Sequence, residues 1–311
     1  MTKSLSRVFA AISLCFLIPA FVLAVEPKPP FRIVGYLPEY RFSRFDAAYA
    51  TGLTDLILFA AQPTPDGDID LGKLKDAPWA MLKDFKTRYH VRLILCMGGW
   101  GQSDHFAEAV LSDKARAKLV KNAVDLLLSH RLDGLDLDWE HPKNEAESAG
   151  YARLLIELKK AFTPHGLTLS VTIAPWQQIP SEGYAAADWV QLMSYDYGQK
   201  HSTLEQAKKD IQTFLDRGVP PEKIVLGMPF YGRDVKDRDK SITYQEVQRR
   251  HHPPEQVDEV AGYFFNGPVT IRKKTRAALD AHLGGVMVWE IGQDTLSETS
   301  LLKAIRAEIE K

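Results

Sequence analysis

The sequence predicts an α/β chain folded as a (β/α)8 TIM barrel with a short insertion between strands 7 and 8. Three observations carry this. Eight strand-like apolar runs alternate with helix-like segments over about 280 residues, the length of one such barrel. Polar and aromatic residues gather at the C-terminal ends of the runs, where barrel loops build their sites. No Gly-rich phosphate fingerprint follows the first run, which argues against the rival, an open doubly wound sheet that binds nucleotides.

Residues 1–24 read as a cleavable signal peptide. Lys3 and Arg7 form a positive start, Val8 to Ala24 is apolar apart from Ser13, and Val22-Leu23-Ala24 precedes the expected cleavage point. An uncleaved anchor is the rival reading; the 17-residue run and its internal Pro19 favour cleavage, so a secreted or periplasmic protein is expected, with no membrane contact afterwards. Residues 25–30 form a short Pro-rich linker, and 31–311 a single domain.

Within it the expected strands are 31–36, 54–60, 91–97, 133–139, 168–174, 188–194, 224–229 and 285–290. Apolar residues at helical spacing predict helices over 106–129, Glu145 to Ala161, Leu204 to Asp216, Thr270 to Leu283 and Ser300 to Glu310; residues 175–187 read as short and irregular.

The chain balances 39 basic against 40 acidic residues, with no basic stripe for nucleic acid and no acidic tail. Of its two cysteines, Cys15 falls in the signal, and Leu14 before it argues against lipid attachment; Cys96 is left without a disulfide partner and reads as a buried small hydrophobe. Stability must then come from core size, and a monomer is expected. No His/Cys/Asp cluster has metal-ligand spacing, so neither metal nor cofactor is expected. His251 and His252 are adjacent, beside Arg249 and Arg250, and read as a solvated helix end.

The richest stretch is Asp133-Gly134-Leu135-Asp136-Leu137-Asp138-Trp139-Glu140. In a strand, residues two apart share a face, so Asp136, Asp138 and Glu140 line one side and Leu135, Leu137 and Trp139 the other. Three adjacent carboxylates cannot all ionise at neutral pH without large cost, so the row holds a proton ready for transfer. Other strand ends add Tyr36; Gly98, Gly99 and Trp100; Gln191, Met193, Tyr195 and Asp196; Tyr231 and Arg233; and Trp289. The glycines let backbone approach a ligand closely. Aromatic planes stack on sugar rings and carboxylates bind hydroxyls, which together suit a sugar-cleaving cleft.

The row D-G-L-D-L-D-W-E resembles the D-x-x-D-x-D-x-E signature of glycoside hydrolase family 18, the chitinase-like barrels. Q-L-M-S-Y-D, G-M-P-F-Y-G-R and G-G-V-M-V-W-E resemble that family's strands six, seven and eight, so the likeness runs over roughly residues 31–295. It implies a glycoside hydrolase catalytic domain over 31–311. By the same resemblance Glu140 is the general acid, Asp138 binds the substrate's N-acetyl N–H, and Asp136 shares charge or a proton with Asp138. Tyr195 steadies the acetamido group with Asp196 beside it, Trp289 floors the subsite before the cleaved bond, Trp100 is a platform just beyond it, and Asp133 is structural. Gln191, Met193, Tyr36, Tyr231, Arg233, Gly98 and Gly99 are expected around the substrate. The implied mechanism has no enzyme nucleophile: the substrate's acetamido oxygen attacks the anomeric carbon through an oxazolinium ion, with retention.

The implied substrate is a β-1,4-linked N-acetylglucosamine polymer such as chitin. Alternatives are endo-action on N-glycans or a peptidoglycan-related polymer, and, in another class, a sugar-binding lectin; the intact acid set argues against the lectin. Two positions depart from the family: Cys96 where Ser is common, expected to change only local packing, and His141 where an aromatic residue often follows the catalytic Glu. The 50 residues from Asp234 to Leu283 are too few for the wall domain of many relatives, with Gly262 to Asn266 as a remnant, so an open cleft and internal cleavage are expected.

Overall fold

The computed structural model describes residues 31–311; the expected signal peptide with Cys15 and the linker lie outside these residues. Eight strands, β1 (Arg32–Pro38), β2 (Asp55–Pro63), β3 (Arg92–Gly98), β4 (Gly134–Asp138), β5 (Thr168–Ile173), β6 (Trp189–Leu192), β7 (Ile224–Pro229) and β8 (Gly285–Trp289), pair in chain order. All are parallel, and β1 closes the ring by pairing with both β2 and β8. This is the (β/α)8 barrel expected.

The alternation of each strand divides the apolar residues between two cores. Leu135, Leu137 and Trp139 face outward into the large core between sheet and helices. A smaller cluster that includes Val34, Tyr36, Ile57, Ile94, Cys96, Val225 and Met287 fills the barrel. At the N-terminal end, Arg32 and Arg92 stack over Trp189 at 4.0 and 5.3 Å and ion-pair with the buried Asp55. That layer seals the end away from the site.

The surrounding helices are α1 (Trp79–Tyr89), α2 (Phe106–Leu111), α3 (Asp113–His130), α4 (Glu145–Phe162), α5 (Ser181–Ala186), α6 (Leu204–Asp216), α7 (Tyr244–His251), α8 (Pro268–Asp280) and α9 (Leu301–Ile309). The single helix expected over 106–129 is two. Ser112 adopts an extended conformation and its hydroxyl accepts from Ala115 N–H, capping α3 just after α2 ends. The segment 175–187 contains the short α5, and α1 and α7 were not anticipated. His251 ends α7 and His252 takes the left-handed cap, as a solvated helix end requires.

The insertion after β7 is a small folded unit. Tyr231–Asp234, Ser241–Thr243, Glu259–Val260 and Tyr263–Phe264 form a four-stranded antiparallel sheet, and α7 follows its Ser241–Thr243 strand. Tyr263–Phe264 is the remnant anticipated in Gly262 to Asn266. Among the described residues, no helix is long and apolar enough to cross a membrane.

Candidate active site

The site is built on the end of β4. Asp136 points into the barrel and is fully buried. Its carboxylate accepts from Tyr36 Oη (2.7 Å), Ser170 Oγ (2.6 Å), Gln191 Nε2 (2.8 Å) and Thr172 Oγ1 (3.0 Å). Burial pushes its pKa up, and these four donors oppose that. Cys96 pairs in register with Asp136, and burial, then the charges of Asp136 and Asp138, raise its thiol well above its usual range. Cys96 lies in the inner cluster of the barrel.

Asp138 is 3% exposed, and its Oδ1 has no hydrogen-bond partner in the protein. Burial, then the negative charges of Glu140 and Asp136, raise it well above the carboxylate range. Asp136, with four donors, is therefore the better stabilised anion of the row, and Asp138, with an unpartnered oxygen, is the harder to ionise.

Glu140 lies two residues past the strand end. Burial and the charge of Asp196 push it up to about 7, against a backbone donor from Trp100. The loop bearing it is tied down by Ser103: Glu140 N–H donates to Ser103 Oγ (3.0 Å), which itself lies 3.0 Å from Gly99 O and 3.2 Å from Asp138 O. Ser103 had no sequence signal, since it reaches the row across 35 residues of chain. His141 Nδ1 lies 2.8 Å from Gln177 Oε1 and so carries its proton there, leaving Nε2 toward Glu140 Oε2 at 3.5 Å. Burial lowers the pKa of His141.

Gly98 ends β3 and Gly99 follows it, with φ of 103° each. A Cβ on Gly98 would stand 2.2 Å from Asp138 O, and one on Gly99 2.2 Å from the Phe59 ring. Only glycine permits this approach to the acid row.

On the opposite side, Tyr195 has a half-buried ring whose hydroxyl finds only Met287 Sδ, at 3.9 Å. Asp196 has φ of 60° and takes a bidentate pair from Arg233 (2.8 and 2.9 Å), a residue of the inserted sheet. Burial alone would raise Asp196; the nearby His201 ring and the Arg233 pair hold it well below the usual carboxylate range instead. Trp289 is half-buried, braced by Phe59 (4.7 Å, 76°) and Tyr36 (5.3 Å, 57°), with Met193 beside it in the same cluster. Trp100 is 81% exposed. Trp176 and Tyr40 are exposed aromatics that the sequence reading missed; Trp176 meets His141 edge-on at 4.4 Å.

Three expected substrate contacts are placed differently. Tyr36 and Gln191 are fully buried beneath the cleft and spend their polar groups on Asp136. Tyr231 is buried behind Arg233 and His201. Asp133 stands at the far end of β4, where Leu93 N–H (2.8 Å) and Lys86 Nζ (2.7 Å) hold it. Among the described residues no group of three or more His, Cys, Asp or Glu is arranged to hold a metal ion.

The pattern of glycosyl hydrolases family 18 matches residues 32–294. The chain belongs to this family. Among its family 18 relatives, Probable chitinase 2 of Drosophila melanogaster is 30% identical over 342 residues, which covers 83% of this chain and 70% of that protein. Probable chitinase 10 of the same organism is 26% identical over 68% of this chain, and there the chain spans only 12% of the relative's length. The fold matches the GH18 chitinase ChiB from the chitin utilization locus of Flavobacterium johnsoniae with a TM-score of 0.80, at 26% identity over 91% of this chain and 94% of that one. A GH18 chitinase mutant from Cycas revoluta, solved in complex with (GlcNAc)4, matches with a TM-score of 0.79 at 22% identity, over 89% and 99% of the two chains; at that identity the likeness is one of fold. Family and relatives together support a glycosidase of the chitinase type.

Proposed function

We propose that this chain is an exported, retaining hydrolase of β-1,4-linked N-acetylglucosamine polymers that uses the substrate's own acetamido group as nucleophile. The observation that carries this is the acid row: Glu140 protonated up to about 7 beside an Asp138 whose Oδ1 has no protein partner. A carboxyl acid that keeps its proton near neutrality can protonate a glycosidic oxygen. The free oxygen of Asp138 can accept an acetamide N–H, and its proton can pass toward Asp136 as positive charge grows on the oxazolinium ion. The unspent hydroxyl of Tyr195 can donate to the acetamido oxygen and aim it at the anomeric carbon. Trp289 offers a stacking floor, and the exposed Trp100, Trp176 and Tyr40 extend it along a polymer. The (GlcNAc)4 bound by the Cycas relative and the chitinase names of the others favour the same substrate class. The N-terminal segment supports export on sequence grounds alone.

Glu140→Gln tests the reading. Hydrolysis of chitin oligomers should fall by at least about 10³-fold while oligomer binding persists, because the amide keeps the shape and loses the proton. Turnover close to wild type would refute the assignment.

A further inference from the structure

His201 lies on the loop after β6, five residues beyond Asp196, and is fully buried. Nδ1 stands 3.5 Å from Asp196 Oδ1, at ion-pair distance, and neither ring nitrogen makes a hydrogen bond to the protein. Buried polar groups with unspent capacity are rare and call for an explanation beyond space-filling. The ring lies against Tyr231 (5.1 Å) and Phe264 (6.1 Å), where a phenyl group would fill the space at no polar cost.

The backbone that carries His201 is clamped. Lys274 on α8 is completely buried and spends its three protons on Ser202 O (3.0 Å), Ser202 Oγ (2.6 Å) and Asn266 Oδ1 (2.8 Å). Ser202 Oγ in turn donates to Ser194 O (2.8 Å), and Asn266 Nδ2 to Ser202 O (2.7 Å). Both ends of the loop 194–202 are thus pinned to each other, with Asp196 between them at φ of 60°. A left-handed aspartate persists where its surroundings over-determine it. The charged and titratable groups around His201 are Asp196 on its own loop, Tyr231 and Arg233 from the inserted sheet, and Lys274 from α8, which is itself faced by Asp258, Asp210 and Glu205. Burial and the two cations act against protonation of the ring.

We propose that His201 is a positioning residue: its Nδ1–H donates to Asp196 and, with Arg233, fixes that carboxylate beside Glu140. The histidine touches no substrate; it acts through Asp196, whose negative charge helps Glu140 keep its proton. This rests on the reading of Glu140 as the acid.

Two measurements test it. In the wild-type protein, 15N NMR of the imidazole should find one neutral form with the proton on Nδ1, unchanged between about pH 5 and 8. A ring that titrates in that range, or carries its proton on Nε2, overturns the proposal whatever the activity. For the variants, His201→Phe keeps a ring and removes the donor, and His201→Asn keeps a donor at the position of Nδ1. The first should lower kcat on chitin oligomers by roughly 10-fold to 100-fold with KM within about twofold, as a misplaced site group does. It should also move the alkaline limb of the pH profile to lower pH. The second should restore both. A Phe variant with wild-type kcat and pH profile, or an Asn variant as impaired as the Phe variant, would show that the ring only packs. Should His201→Phe fail to fold, the NMR result decides alone. Failure of the catalytic reading would appear separately, as turnover by Glu140→Gln.

Discussion

Glu140 shows how one side chain's surroundings set its chemistry. Free in solution it would be ionised at neutral pH; burial and the fixed charge of Asp196 hold its proton up to about 7. Activity that needs the protonated acid should fall as pH rises through about 7, seen as the alkaline limb of kcat/KM. The same shift bears on stability. A pKa raised from 4.5 in the unfolded chain to about 7 in the folded one stabilises the fold below 4.5, and that contribution is lost as pH rises through about 7. Glu140→Gln cannot lose it. The variant should match wild type in Tm near pH 4 and exceed it near pH 8 by on the order of 1–3 kcal/mol of stability, because deprotonation strains only the wild type. Equal Tm values at both pH values would mean that Glu140 is not desolvated as described. The acid row itself was legible in the sequence because alternation is a local property: Asp136, Asp138 and Glu140 stand two apart. The partners that set their protonation were not. Ser170, Thr172, Ser103 and His201 carry no local signal, and each reaches its partner through the closure of the barrel or the folding of a loop.

At the level of elements, the strand ends decide where the acids sit. Gly98 closes β3 in a left-handed conformation against the backbone of Asp138. Gly98→Ala must move that backbone. We expect a loss of more than about 2 kcal/mol of stability, from strain at positive φ plus steric displacement, read as a lower Tm. Hydrolysis should fall by roughly 10-fold or more, because the row moves by a fraction of an ångström. An alanine variant with unchanged turnover would show that the β3–β4 junction does not set the site. The strands were readable as apolar runs. The helices were less so, for identifiable reasons. Ser112 breaks an otherwise continuous apolar stripe by capping α3, and a lone Ser within a helical pattern gives little warning. Helix α1 buries only Leu82 and Phe85 and has no side-chain cap, so its stripe is too sparse to stand out.

Across the whole molecule, the barrel places the acid row, the aromatic platforms and the inserted sheet at one end, while the Arg32–Asp55–Arg92 layer and Asp133 serve the other. The insertion is folded, but only four short strands and one helix of eight residues, and it contributes Arg233 to the site. Trp100 at 81% exposure and Trp176 at 66% stand in open solvent. We propose on this ground a cleft open enough to hold a polymer loosely, so the first products from long chitin oligomers should be a mixture of lengths; disaccharide alone in the first minutes would contradict this. In the proposed mechanism the substrate's acetamido group supplies the nucleophile and Glu140 supplies the proton. The most direct test compares initial rates on a fully acetylated N-acetylglucosamine hexamer and on its fully de-acetylated counterpart, with the same folded protein at one pH. We predict rapid cleavage of the acetylated hexamer and none of the other; equal rates on the two, or no cleavage of the acetylated one, would contradict the account.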